Sequence, residues 1–331
     1  MNKKLALIAG TAVAAMLDVA PAVKAKEIVI KFSHVTSGKK HPKYLAAEAF
    51  ANRVKTELKG KVKIEVFPGG QLFNDKDVLI ELIKGRAVQM AAPSLSKFES
   101  ITKKFRIFDL PFLFDNIDAV NKFQQSKHGK AILKSLEKKG ISGLAYWHNG
   151  MKQISANKPL VLPTDAKGLK FRVQQSDVLV ALFQKLGATP QKMAFKEVYG
   201  ALQTGVVDGQ ENTWSNIYSK KFFEVQDGVT ETDHGVIDYA VIVSKRFWSK
   251  LPKDIRADLE RIMAEVTAER NGLSRKLNLE NRQKILDAKG TIRTLNAEQR
   301  AAWKNAMKPV WDKFADEIGH DLIKAAASIN M

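Results

Sequence analysis

The chain of 331 residues contains no cysteine. Disulfides, thiolate nucleophiles and cysteine-ligated metal sites are excluded together, and the fold must hold by packing alone. Long apolar stretches are missing too. Beyond the 13-residue run Leu5 to Leu17, nothing approaches the ~20 residues that a membrane helix needs. Acidic side chains are few: 35 Asp and Glu stand against 54 Lys and Arg, a formal balance of +19. The lysines are scattered, as in Lys39-Lys40, Lys103-Lys104, Lys138-Lys139 and Lys220-Lys221, with no longer basic block and no nucleic-acid motif, so nucleic acid is not an expected partner. No two of the six histidines stand four apart, and there is no phosphate-cradling glycine loop and no Gly-x-Ser-x-Gly elbow. Neither a metal nor a cofactor is expected, and no catalytic residue is assigned.

The N-terminus carries Lys3-Lys4, the apolar run, and Pro21 to Ala25 with small residues. This is the pattern of a secretory signal peptide over residues 1–25, cleaved near Ala25. The protein is therefore expected to be exported to the periplasm and not itself membrane-spanning. With no cysteine near the cut, a lipid anchor on that residue is excluded. The segment holds three lysines and one aspartate, so its removal leaves 306 residues and a balance of +17. That length is enough for two domains with cores of their own.

The mature chain alternates strand and helix patterns. Glu27 to Phe32 and Lys61 to Val66 alternate apolar and polar residues around a helix from Pro42 that buries Leu45, Ala49, Phe50 and Val54, a βαβ unit. Asn74, with Asp77 three residues on, caps a helix that ends at Gly85. Phe108 to Phe114 reads as a hydrophobic turn, Ile117 to Lys139 as one helix, and Ile141 to Trp147 as a strand. A polar turn at Asn149 to Gln153 marks a crossing into a second domain, and Tyr239 to Val243 is the return strand; two crossings are implied. Beyond Pro252 a helical period runs through Ile255, Leu259, Ile262, Val266, Leu273 and Leu277 to about Lys289, with a kink expected at Asn271-Gly272. Asn296 and Gln299 cap a last helix whose Trp303, Met307, Val310, Trp311 and Phe314 form a packing stripe.

The segment from Lys167 to Asn216 is the most informative. Leu169, Phe171 and Val173 alternate with Lys170, Arg172 and Gln174, so a half-buried strand projects a guanidinium from one face. A cation fixed on a strand suits a carboxylate ligand, because planar donors can meet both its oxygens at once. Val206-Val207 reads as a short strand ending in an Asp208 to Asn212 turn. Asp208 and Glu211 are two carboxylates close in sequence, but capping a turn or pairing with a cation fits them better than glycoside-type catalysis.

Arg172, the stretch Asp208-Gly209-Gln210-Glu211-Asn212 and the segment Met193 to Tyr199 together give a resemblance. The chain resembles the DctP-type solute-binding proteins of tripartite ATP-independent periplasmic (TRAP) transporters, over residues 27 to about 325. Phe67 to Leu72, Asp109 to Phe114 and Pro190 to Leu202 add to it. The resemblance implies a two-lobed α/β periplasmic binding protein fold with a hinge, a ligand cleft between lobes and a long domain-bridging helix. It implies a carrier, not an enzyme, that shuts over a small carboxylate and delivers it to TRAP permease subunits in the membrane.

Carried over by position, Arg172 matches the arginine that bridges the ligand carboxylate, Asn212 the asparagine that hydrogen-bonds it, and Phe195 the aromatic that covers it. Lys152 stands where many relatives have arginine. Together with His34, Ser94, Trp214 and Asn216 it is similar to the C4-dicarboxylate branch, whose ligands are succinate, malate and fumarate. Lys39 and Asn149 complete the expected ligand-binding set. The lobes are expected to divide as 26–149 with 238–277 and 150–237 with 278–331, the C-terminal helices packing across. Another organic acid (an oxo-acid or sugar acid), an exported carboxylate-processing enzyme, and a basic surface-interaction protein are the rival readings.

Overall fold

The computed structural model describes residues 26–330. The expected signal peptide lies outside the described residues. In chain order the strands are β1 (Ile28–Ser33), β2 (Val62–Phe67), β3 (Met90–Ala91), β4 (Ile141–Met151), β5 (Gln153–Ala156), β6 (Lys170–Val173), β7 (Thr189–Lys192), β8 (Gly209–Asn212), β9 (Gly228–Glu231), β10 (Val236–Ser244) and β11 (Ile292–Thr294). They form a five-stranded sheet, β2-β1-β3-β10-β4, and a six-stranded sheet, β11-β9-β5-β8-β6-β7. In the first, β1 runs parallel to β2 and β3 while β10 is antiparallel to β3 and β4. In the second, β6 is parallel to β7 and β8, and β5 is antiparallel to β8 and β9.

The chain passes between sheets from β4 to β5 and returns from β9 to β10, the two crossings that the sequence implies. A third pass follows the long helix, because β11 pairs with β9. That helix is Lys253–Asp287, 35 residues, unbroken through Asn271 and Gly272. Its first half buries Ile255, Leu259, Ile262, Met263 and Val266 against Phe50, Trp147 and Val241 under the first sheet. Fully burying such side chains contributes roughly 1.5–3 kcal/mol each. In its second half the buried residues are Ser274, Asn278, Asn281 and Ile285, while Leu273 stays 39% exposed. The helix changes from a core element to a hydrogen-bonding one where it passes the crossing. Asn271 shows why no break is needed there: its amide donates to Tyr146 O at 2.9 Å and accepts from His148 N at 2.8 Å. It thereby satisfies backbone groups on the outer edge of β4.

Three local expectations are corrected. The segment from Ile117 is two helices, Ile117–Gln125 and Lys127–Lys134, because Ser126 takes extended backbone and caps the second through His128 N and Gly129 N. Asp208 to Asn212 is no turn. Residues 209–212 are the buried strand β8, and Val206 is 50% exposed outside any strand. The first helix, Pro42–Glu57, buries Lys43, Ala46, Ala47, Phe50 and Val54, a face turned away from Leu45 and Ala49. Leu45 and Ala49 are only half-buried, and Lys43 on the buried face donates its ammonium to Ala92 O at 3.0 Å and sits 3.8 Å over the Tyr239 ring.

Candidate functional site

Arg172 is placed by β6, between β7 and β8. Phe171 and Val173 point into the core, fully buried, and fix the strand's register. Arg172 itself is 1% exposed, so both faces of this strand are covered. Its Nε and Nη2 donate to Met193 O at 3.1 and 2.9 Å. Nη1 is buried and finds no hydrogen-bond partner among the described residues. One edge of the guanidinium is thus anchored on backbone, and its end, Nη1 with the second hydrogen of Nη2, remains for a two-oxygen acceptor. Burial pulls the group down only to about 10, so it stays charged at neutral pH.

The guanidinium lines a cleft that opens to solvent. From the side of the first sheet come Thr36, Lys43, Asp75, Ser94, Lys97 and Tyr239; from the second come Arg172, Gln174, Phe195 and Asn216. Among the lining residues Lys43, Lys76, Lys97, Arg172 and Lys196 are basic, and Asp75 is the only acid. Burial pulls Lys43 down to about 8, and burial with the Arg172 charge does the same to Lys97. Cations crowded in a poorly solvated wall are strained by their own charge, and an anion between them relieves it.

The two sides already touch. Ser96 Oγ lies 2.8 Å from Gln174 Oε1, Gln174 Nε2 donates to Ser94 Oγ at 3.0 Å, and His41 Nε2 is 2.8 Å from Asn216 Oδ1. Such a site binds and encloses. Among the described residues no group of His, Asp or Glu is disposed to hold a metal ion, and no helix is long and apolar enough to cross a membrane.

Residues 32–317 match the family described as bacterial extracellular solute-binding protein, family 7, DctP. The chain belongs to this family. It is 56% identical, over all of its length and 99% of the relative's, to a protein of Vibrio cholerae named C4-dicarboxylate-binding periplasmic protein DctP. A TRAP periplasmic solute-binding protein of Shewanella oneidensis, solved with bound succinate, superposes with a TM-score of 0.90 at 50% identity, covering 92% of this chain and 100% of that one. Another from Pseudomonas aeruginosa, with bound L-malate, gives 0.84 at 47% identity, covering 86% and 99%. The fold is that of a two-lobed solute-binding protein, and the family is one of binding proteins, not of enzymes.

Of the solute-binding residues expected from the sequence, Arg172, Phe195, Ser94 and Asn216 line the cleft together. The others do not, and each has a physical reason. Lys152 is fully buried behind the cleft, its ammonium 2.9 Å from Glu211 Oε1 and 4.0 Å from Asp109 Oδ1. Its charge is already matched. Asn212 stands one step behind Asn216, accepting from Asn216 Nδ2 at 2.7 Å and donating to Gln210. Asn149 is a knot at the crossing: its N donates to Asp238, its Nδ2 to Tyr239 Oη, and its carbonyl accepts from Asn278 of the long helix. Trp214 packs with Val198, Leu202, Phe222 and Ile285 under the Arg282 guanidinium. Lys39 borders a separate depression beside Ser219 and Tyr218. His34 is buried, its Nδ1 3.1 Å from Thr36 Oγ1 and its ring edge-on to Tyr44.

Sequence reasoning missed Lys43, Lys97, Gln174 and Tyr239. Lys43 lies in the first turn of the first helix and Lys97 in a short 3-10 segment, Leu95–Ser100, and neither carries a local signal of a binding role. Gln174 was visible, being on the same face of the alternation as Arg172.

Proposed function

We propose that this protein captures a C4-dicarboxylate such as succinate, malate or fumarate in its interlobe cleft by hinge closure. The reading rests above all on the buried end of Arg172, held by Met193 O and aimed into a cleft whose remaining buried cations, Lys97 and Lys43, belong to the opposite wall. A dianion is best held by cations toward both of its ends, and the two sides of the cleft carry them. Ser94, Gln174, Asn216 and Thr36 are the donors in between. Charged hydrogen bonds contribute roughly 1.5–3 kcal/mol each, so three or four offset the ordering costs of a micromolar complex at about −8 kcal/mol. The Shewanella and Pseudomonas proteins solved with succinate and L-malate, alike in fold and about half identical, support the same ligand class.

In this reading the lobes divide as 26–149 with 238–277 and 150–237 with 278–331, hinged where Asn149 ties β4 to β10 and the long helix. The signal pattern and the family support a periplasmic protein that hands its ligand to a TRAP permease. The test is a thermal-shift panel of C4-dicarboxylates, monocarboxylates, sugar acids and amino acids, since a specific ligand raises the melting temperature by mass action. A shift with a dicarboxylate is expected; a shift with a neutral sugar or a sugar acid alone overturns the ligand class.

A further inference from the structure

Behind the cleft, Ser96 Oγ lies within hydrogen-bond distance of two acceptors: Asp109 Oδ1 at 2.6 Å and Gln174 Oε1 at 2.8 Å. A serine hydroxyl has one proton and cannot donate to both. On its other side Gln174 donates through Nε2 to Ser94 Oγ at 3.0 Å. Ser94, Gln174 and Ser96 thus form one chain from the cleft wall to Asp109, which can be polarised in two senses, and only a protonated Asp109 can sustain the first. In the first, Asp109 is a neutral acid that donates to Ser96, Ser96 donates to Gln174, and Gln174 donates to Ser94. The Ser94 hydroxyl is then free to donate into the cleft. In the second, Asp109 is ionised and accepts from Ser96, the Gln174 amide is turned by half a rotation, and Ser94 donates to it. The cleft then meets only the lone pairs of Ser94. An anion at that wall is served by the first arrangement and repelled by the second.

The surroundings of Asp109 favour the first. Its carboxyl is 2% exposed as a residue, and Oδ2 finds no hydrogen-bond partner among the described residues, an arrangement far costlier for a carboxylate than for an acid. The charged groups facing it are Lys152, Glu211 and Lys97. Lys152 is the nearest cation, yet it is closer to Glu211, at 2.9 Å, and Glu211 also accepts from His234 Nε2 at 2.8 Å. Glu211 is held down to about 2 against its own burial, by the Lys152 charge first and the bond from His234 next. The ammonium is therefore spent on Glu211. Burial pushes Asp109 up and outweighs the opposing Lys152 charge and the hydroxyls of Ser96 and Ser176, with Glu211 adding to the rise.

We propose that Asp109 is a positioning residue for the ligand: it carries a proton in the liganded protein and, through Ser96 and Gln174, turns the Ser94 hydroxyl to donate to the bound carboxylate. This rests on the reading that the cleft takes a dicarboxylate, and it makes binding proton-linked. Where Asp109 is partly ionised, each ligand bound draws in a fraction of a proton. Affinity falls as pH rises.

The experiment is calorimetric titration of the protein with succinate between about pH 6 and pH 9, in buffers of different ionisation enthalpy, which counts protons taken up per ligand. Lys97 also gains a proton on anion binding in the upper part of that range. Two variants separate the sources: Ser96→Ala cuts the chain but leaves Lys97 and Asp109 in place, and Asp109→Asn gives Ser96 a donor that does not titrate. Wild-type protein is expected to take up more protons than either variant. Its affinity is expected to fall with pH by roughly three- to tenfold more than that of Asp109→Asn over the range. Equal uptake and parallel pH profiles in wild type and Ser96→Ala overturn the role given to Asp109 while leaving the ligand class intact. Absence of any succinate binding overturns the ligand class itself.

Discussion

His41 Nε2 lies 2.8 Å from Asn216 Oδ1, joining the first helix of one lobe to a cleft-lining amide of the other. The proton on that nitrogen is fixed by the opposite side of the ring, where Nδ1 accepts the Lys43 backbone N–H at 3.1 Å. His41 is thus neutral and a donor to Asn216. Asn216 Nδ2 in turn donates to Asn212, so the orientation of this cleft-lining amide is locked. His41→Ala is expected to weaken succinate binding by about 1–2 kcal/mol, roughly 5- to 30-fold, in a calorimetric titration. Unchanged affinity refutes the coupling.

The same ring makes the fold acid-sensitive. Burial, then the Lys43 charge, pulls His41 from 6.5 down to about 3, so between those values the unfolded chain binds a proton that the folded one refuses. Stability is complete above about pH 6.5 and is lost as pH falls toward 3, by up to ~1.4 kcal/mol per pH unit. His34 and His234 are displaced the same way by burial. Melting temperature is expected to drop steadily across that window, and less steeply in His41→Gln. A flat profile down to pH 4 would falsify this assignment.

Arg172→Lys keeps a charge and loses the geometry. Lysine cannot both hold Met193 O through two donors, as Arg172 does, and present a paired end to a carboxylate. Binding of succinate is expected to weaken by about 2–5 kcal/mol, beyond thirtyfold, with the unliganded melting temperature shifted far less. Retention of wild-type affinity in the variant removes Arg172 from the site.

Much of this was legible in the chain itself. Strand and helix periods located β1, β2, the first helix and the capped helices at Asn74 and Asn296, because those signals are local. Arg172 stood out because a charge inside an apolar alternation has few structural reasons to be there. What local reading misplaced were residues whose environment is set by distant partners. Lys152 entered the expected set through the resemblance, and nothing near it in sequence reveals Glu211, 59 positions away. Leu273 fitted the helical period but is exposed, since the helix turns its Asn and Ser face to the crossing. Nothing local marks Lys43 or Lys97 as cleft residues, and only the fold shows them lining a buried wall.

Glu211 holds two partners at once, Lys152 at 2.9 Å and His234 at 2.8 Å, all three buried. Glu211→Gln leaves the ammonium of Lys152 without its nearest counter-charge, and removing one member of a buried pair costs about 3–5 kcal/mol. A drop of that size is expected in the urea-unfolding free energy. Because the variant also frees Lys152 for Asp109, 4.0 Å away, it is expected to favour ionised Asp109 and so to weaken succinate binding in the folded fraction as well. Loss of stability below about 1 kcal/mol would mean that the pair is solvated.

Lys97 is a buried cation that lines the cleft with Arg172 from the side of the first sheet, and in the dicarboxylate reading it meets the second carboxylate. Burial and the Arg172 charge pull it down to about 8, so it begins to lose its proton just above neutral pH, and a bound anion restores it. Lys97→Met is therefore expected to weaken succinate by about tenfold or more, a little over 1.4 kcal/mol, while changing the affinity for a four-carbon monocarboxylate by less than about threefold. Calorimetric titration with both ligands reads the difference directly. Equal losses for the two would show that Lys97 contributes field at the Arg172 end, and the two-ended recognition of a dicarboxylate would need a different second cation, for which Lys43 is the remaining buried candidate.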